Sequence, residues 1–236
     1  MDIHVHSRTR AHPARDPAGE FVMPSPRLTG TRGQNPNKKL NPSLPNGTLR
    51  PLSSQQRRIS MKGGQWPIDV QRILRVNHSG EFGAIGIYQS QLFLARMIWP
   101  SGRDLLAEML VDERRHLNVF AGMLAQRNIR PCHALLLWRI GGYALGITSA
   151  LFGRTGILAC TAGVESIVLG HLREQRAILR NRDAELIAAI DGIEADEQSH
   201  HDHGQDGLRQ QSRVGAGVFT LSANLTRFAI WLSSRL

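Results

Sequence analysis

The 236-residue chain is long enough for one domain of ordinary size plus a tail, and its 41% of hydrophobic residues can bury a sizeable core. Its two cysteines, Cys132 and Cys160, exclude a disulfide framework and a cysteine-rich zinc site, and they favour a reducing compartment. The net charge of +10 is lopsided: residues 1–60 hold 10 Lys and Arg against 3 Asp and Glu, so basicity says little about the chemistry of the remainder.

Residues 1–65 read as a disordered, basic, Pro-rich extension. Eight of the 11 prolines lie in the first 60 residues, with many Gly, Ser and Asn and no apolar periodicity. The segment lacks the apolar stretch of a secretory signal. A mitochondrial presequence is one rival reading, against which Asp2, Asp16, Glu20 and the prolines count; an over-extended start, with Met61 as the true first residue, is another. No nucleic-acid partner is expected, because the tail has neither a folded binding motif nor interleaved aromatics.

The folded domain is expected over 66–236. Segment 68–98 places Ile73, Leu74, Ile85, Tyr88, Leu92 and Ala95 at a period near 3.6, which predicts a helix. Trp99-Pro100-Ser101-Gly102 breaks it, and Ser101 with Asp104 three residues on predicts the capped start of a second helix, about 102–127. Leu106, Met109, Leu110, Leu117, Phe120 and Leu124 line one side of that helix, and Arg130-Pro131 closes it. Segment 134–152 is strongly apolar, with Arg139 its one charge. Helices follow over about 155–180 and 184–204, joined by an Asn181-Arg182-Asp183 turn, and a last amphipathic helix covers 214–235. Nothing reads as a run of strands, so the class is all-α.

Two Glu-x-x-His motifs, Glu113–His116 and Glu197–His200, each aim a carboxylate and an imidazole from one helix face. Both lie on apolar stripes: Glu113 follows Met109 and Leu110, and Glu197 follows Ile190 and Ile193. Glu81 sits likewise between Leu74 and Ile85, and Glu165 before Val168 and Leu172. Burying four unpaired carboxylates together is costly, and a pair of cations resolves the conflict. The spacing agrees. Glu81 to Glu113 and Glu165 to Glu197 are both 32 residues, with midpoints at residue 97 and residue 181, beside the two predicted turns. Equal rise on both arms of each hairpin returns its two Glu to one height, so six ligands can share a layer. One Glu from each of two helices and Glu-x-x-His from each of two more is the ligand set of ferritin-like carboxylate proteins. Oxygen and nitrogen donors without thiolate suit iron or manganese. Glu113 and Glu197 are assigned as bridging carboxylates, Glu81 and Glu165 as terminal ones, and His116 and His200 as one imidazole per metal. The fold expected is a ferritin-like antiparallel four-helix bundle with additional apolar crossover and C-terminal helices.

The ligand segments resemble those of the demethoxyubiquinone hydroxylases. Arg75-Val76-Asn77-His78-Ser79-Gly80-Glu81-Phe82-Gly83-Ala84 is similar to the family's first motif and Asp112-Glu113-Arg114-Arg115-His116-Leu117 to its second. Ala159-Cys160-Thr161-Ala162-Gly163-Val164-Glu165, with His171 and Gln175 downstream, is similar to the third. Asp196-Glu197-Gln198-Ser199-His200-His201-Asp202 is similar to the fourth, and Trp231-Leu232-Ser233-Ser234-Arg235-Leu236 to the family's C-terminus. The resemblance spans about 70–236. It implies two Fe ions per chain and hydroxylation of a polyprenyl methoxy-benzoquinol ring with O2 in ubiquinone synthesis. NADH is the implied electron source, although no Gly-rich dinucleotide fingerprint is present. Gly170-His171-Leu172 stands where family members often carry a His-His-aromatic run, so no aromatic is available there for an electron relay. His171 is either a group behind the ligands or a packed histidine.

A polyprenyl substrate lies in a bilayer, so peripheral membrane contact is implied. The expected location is the cytoplasmic face of a bacterial inner membrane, with the matrix face of the mitochondrial inner membrane as alternative. Segment 134–152 reads as a helix or helix pair lying in the interface, with a buried crossover helix as the plain alternative. The last helix is a second interfacial candidate. Assembly as an oligomer or within a ubiquinone-biosynthesis complex stays open. The rival functions are a ferritin-like iron oxidase or storage protein, and a non-catalytic quinone- or lipid-binding scaffold.

Overall fold

The computed structural model describes residues 65–208 and 212–236; the expected extension over 1–65 lies, but for Gln65, outside the described residues. Six α-helices and no strand occur among the described residues: α1 Ile68–Ile98, α2 Arg103–Gln126, α3 Leu135–Ala150, α4 Gly153–Leu179, α5 Ala184–Leu208 and α6 Arg213–Ser233. The periodic segments therefore become helices within a few residues of their expected limits. The start of α2 differs. Pro100–Gly102 forms a 3-10 turn, α2 begins after Gly102, and Ser101 gives no side-chain cap. The hydroxyl that caps a helix is instead Ser212 at the head of α6, which accepts from Gly215 N at 3.3 Å.

α1 and α2 form one antiparallel hairpin, and α4 and α5 another, turned through Asn181 in the left-handed region at φ 60°. Asparagine tolerates that conformation better than most residues. Across the two hairpins Tyr88 meets Glu165 and Asn77 meets Gln175, so α4 runs opposite to α1. Since α2 also runs opposite to α1, the chain must climb the length of the bundle between α2 and α4. Sixteen-residue α3, about 24 Å long, makes that climb parallel to α1. It does so at close range. A Cβ on Gly142 would lie 2.1 Å from Gly83 O, and one on Gly146 would lie 2.5 Å from Ile87 O, so small residues let the backbones touch. Segment 134–152 is thus one helix, with one side seated on α1. Its other side exposes Leu136, Leu137, Ile140, Tyr143 and Ile147. Arg139 folds back onto α1, donating to Gln89 Oε1 at 3.0 Å, which leaves the outward side apolar.

α6 packs along α4 and reaches α1, where Ser233 meets Ser79. α4 is long and apolar enough to cross a membrane, but 67% of that window is buried within the protein. It also carries Glu165, so it is a core helix of the bundle. Apolar packing among the described residues forms three clusters, two of which follow one another along the bundle. One joins Leu74, Phe120, Met123, Leu179, Leu186 and Ile190; the other joins Ile85, Tyr88, Leu106, Met109, Ala150 and Ile157. The polar layer that contains Glu81 lies between them, because residue 81 falls between Leu74 and Ile85 on the same helix.

At the α4–α5 end a buried ion cluster ties the hairpins together. Arg127 donates to both oxygens of Asp183 at 2.5 and 3.0 Å and to Glu185 at 3.0 Å, with Trp66 stacked 4.2 Å from its guanidinium carbon. Asp183 Oδ1 also accepts from Leu186 N at 3.0 Å, so the same carboxylate caps α5.

Candidate metal centre

The helical period and the equal hairpin arms bring all six expected residues to one layer. Glu81, Glu113, His116 and Glu197 form one group, and Glu113, Glu165, Glu197 and His200 another, with the donor atoms of each group within 4.8 Å of one another. Glu113 and Glu197 belong to both groups. No member of the layer is more than 7% exposed, and His116 is at 0%.

Four carboxylates this close cannot all be charged without compensation. Burial, and then the neighbouring carboxylates, pushes the Glu81 and Glu165 carboxyls well above the ordinary range. Burial would likewise lift Glu197, but the imidazoles of His116 and His200 outweigh it and hold this carboxyl at about 2. For His200 burial acts downward, yet Glu113 and Glu197 bring it up to about 11. His116 is raised for the same reason, burial being overcome by Glu197 and Glu113. The carboxyls and imidazoles of the layer thus shift one another strongly, as buried charges packed at this range must.

The orphaned atoms test whether a metal fits. Among the described residues, His116 Nδ1, His200 Nδ1, Glu113 Oε1 and Glu197 Oε2 are buried with no hydrogen-bond partner. His116 Nδ1 is 3.0 Å from Glu197 Oε1, and His200 Nδ1 is 3.4 Å from Glu113 Oε1, but the angles are not those of hydrogen bonds. Lone pairs that face a common space instead of one another are what a shared cation satisfies. The buried Glu/His group could therefore hold metal ions.

Groups that the sequence reading left without a role support this layer. The Tyr88 hydroxyl donates to Glu165 Oε1 at 2.8 Å. Behind each imidazole stands an aspartate from the opposite motif: Asp196 Oδ2 is 3.0 Å from His116 Nε2, and Asp112 Oδ2 is 3.4 Å from His200 Nε2. A carboxylate on Nε2–H leaves Nδ1 free to point inward. One signal for these aspartates was available in the sequence, since each immediately precedes the Glu of its motif. His171 lies on the wall of a cavity, with Nδ1 3.7 Å from Glu174, and burial lowers its pKa.

That cavity, of about 310 Å3, runs between α1, α3, α4 and α6. Leu137, Trp138, Leu145, Val168, Leu225 and Phe228 give it apolar walls, and Glu81, Glu113, Glu165 and Glu197 lie at its inner end. Asn77, on the same wall, exchanges hydrogen bonds of 2.8 and 2.7 Å with buried Gln175.

The family described as "Ubiquinone biosynthesis protein COQ7" matches residues 69–233, which takes in every helix that builds the layer and the cavity. The chain belongs to the COQ7 family. A similar protein from Rhodospirillum rubrum, named 3-demethoxyubiquinol 3-hydroxylase, is 34% identical over 218 residues, covering 90% of this chain and 100% of the relative. Two proteins named NADPH-dependent 3-demethoxyubiquinone 3-hydroxylase, mitochondrial, are also similar. That of Bos taurus is 32% identical, with 82% of this chain and 94% of the relative covered. That of Homo sapiens is 33% identical, with 80% and 92% covered. The family bears out the resemblance seen in the four ligand segments and the ferritin-like helical fold expected from them.

Proposed function

We propose that this chain is a 3-demethoxyubiquinol 3-hydroxylase whose six-residue layer holds two iron ions. The observation that carries this reading is a buried Glu4His2 layer at the inner end of an apolar cavity, in a chain of the COQ7 family. In this reading Glu113 and Glu197, which belong to both donor groups, would be shared between the metals, Glu81 and Glu165 would serve one each, and His116 and His200 would bind one metal each. When bound, the iron pair would relay electrons from the reductant and supply the Lewis acidity that activates O2. In the balanced reaction one oxygen atom enters a ring C–H bond of a polyprenyl methoxy-benzoquinol and the other leaves as water. Two electrons and two protons are consumed, and a reduced nicotinamide supplies the electrons.

The chain's own residues hold, orient and exclude. Asp196 and Asp112 fix the imidazole tautomers, and the Tyr88 hydroxyl steadies Glu165. A cavity of about 310 Å3 lies at the lower end of the range for small-molecule sites and suits a substituted ring. Its apolar walls keep water from the reacting carbon. Of the lining residues, Leu137 of α3 and Leu225 and Phe228 of α6 are also exposed, and Phe228 stacks on exposed Trp231. These residues favour peripheral contact with the membrane that holds the prenyl tail. That membrane is the bacterial inner membrane at its cytoplasmic face, or the mitochondrial one at its matrix face. Segment 69–233, which the family covers, is the proposed catalytic unit, without the extension.

The test joins metal content to product. Wild type should carry two irons and convert a long-chain methoxy-quinol in liposomes to its hydroxylated product, read by mass. Glu113→Ala and Glu197→Ala should lose both iron and product. Iron retained near two per chain in both variants would refute the ligand assignment. Iron bound without product under reductant and O2 would refute the reaction.

A further inference from the structure

The two Glu-x-x-His segments repeat at an offset that pairs Asp112 with Asp196, Glu113 with Glu197 and His116 with His200. The same offset sets Arg115 against Ser199. Among the described residues, Arg115 is the one cation that pairs with both aspartates. The structure puts that cation where both aspartates need it. Arg115 Nη2 donates to Asp112 Oδ1 at 2.6 Å on its own helix α2, and to Asp196 Oδ2 at 2.9 Å across on α5. Asp196 Oδ2 is the same oxygen that faces His116 Nε2, and the second oxygen of Asp112 faces His200 Nε2. One guanidinium thus reaches both imidazoles through one carboxylate each.

We infer that Arg115 is a positioning residue for the whole metal layer, a strap between α2 and α5 that holds both aspartates against the histidines of the opposite motif. This rests on the reading of the layer as a metal site. Without a cation, Asp112 and Asp196 would add two more negative charges to the outside of a layer already crowded with carboxylates, and they would separate. Each imidazole would then lose the acceptor on Nε2–H that turns Nδ1 inward, and groups behind metal ligands typically alter metal affinity by about 10- to 100-fold. Arg115 has no counterpart in the second motif, so its loss is not covered by symmetry. The role is not one of overall stability. The Arg115 side chain is 55% exposed, and exposed ion pairs contribute little to folding.

The experiment compares Arg115→Met, Arg115→Lys and Glu197→Ala in the full chain by Co2+ titration, following the ligand-field spectrum and the melting temperature of the metal-free protein. A lysine ammonium can donate to both carboxylates from nearly the same place, whereas methionine keeps the bulk and loses the donors. Arg115→Met should weaken Co2+ binding about 10- to 100-fold and shift the spectrum, with metal-free melting close to wild type. Arg115→Lys should restore affinity to within about 3-fold, since the larger loss requires that the donor itself be removed. Wild-type affinity in Arg115→Met, or equal loss in the Met and Lys variants, would overturn the strap. Glu197→Ala separates the two levels. If it too binds Co2+ like wild type, the metal reading itself fails; if it alone loses the metal, only the strap fails.

Discussion

Gly141 and Gly142 are neighbours on α3, and replacing each with alanine should have opposite effects. A Cβ on Gly141 meets nothing within 4 Å, whereas one on Gly142 would lie 2.1 Å from the backbone oxygen of Gly83. At the first position alanine only removes the flexibility of glycine in a helix, which stabilises by about 0.5–1 kcal/mol. At the second the obstacle is main chain on both sides, and no side chain can swing away. Reaching an ordinary contact of 3.4 Å requires α3 to retreat from α1 by about 1.3 Å. Overpacking of this kind costs about 1–3 kcal/mol, which leaves a net loss of about 1 kcal/mol once the helix preference of alanine is counted. For a domain of this size each kcal/mol moves the melting temperature by about 2–4 °C. Gly142→Ala should therefore melt about 2–4 °C lower, and Gly141→Ala about 1–4 °C higher. Thermal melting by far-ultraviolet circular dichroism reads both. Because α3 forms one wall of the cavity, Gly142→Ala should also raise the KM for quinol more than it lowers iron content. Equal melting temperatures for the two variants would refute the close seating of α3 on α1.

Arg127→Met should leave the buried Asp183 and the half-buried Glu185 without their cation and cost about 3–5 kcal/mol, seen as a lower urea midpoint with iron content unchanged; a midpoint within error of wild type would refute the clamp. Metal loading should release protons near neutral pH. The groups raised in the metal-free protein (Glu81, Glu165, His116 and His200, the last to about 11) hold protons that a cation must displace. Affinity should then rise with pH, and calorimetric titration in buffers of different ionisation enthalpy should show at least about one proton leaving per metal; a heat independent of buffer would contradict the charge state of the layer.

Much of this protein is decided by short-range sequence rules. The 3.6-residue period set the helices to within a few residues, and the stripe positions put Glu81, Glu113, Glu165 and Glu197 on inward faces. Equal spacing on two hairpins brought them to one height, because helical rise is the same on every arm. Local pattern also misled once: Ser101 looked like a cap, but the Pro100–Gly102 turn starts α2 one residue later without a side-chain cap.

What the sequence could not determine lies between helices. Period and rise describe each helix along its own axis and do not say which helix stands beside which. Packing alone decided that α3 rises parallel to α1 on a glycine contact, and that α3 and α6 flank an apolar cavity ending at the carboxylates. It also decided that each aspartate serves the histidine of the other motif, across 80 and 88 residues of chain. Those contacts depend on the rotation and distance of whole helices, which are set by the sum of many side-chain fits and not by any local run of residues.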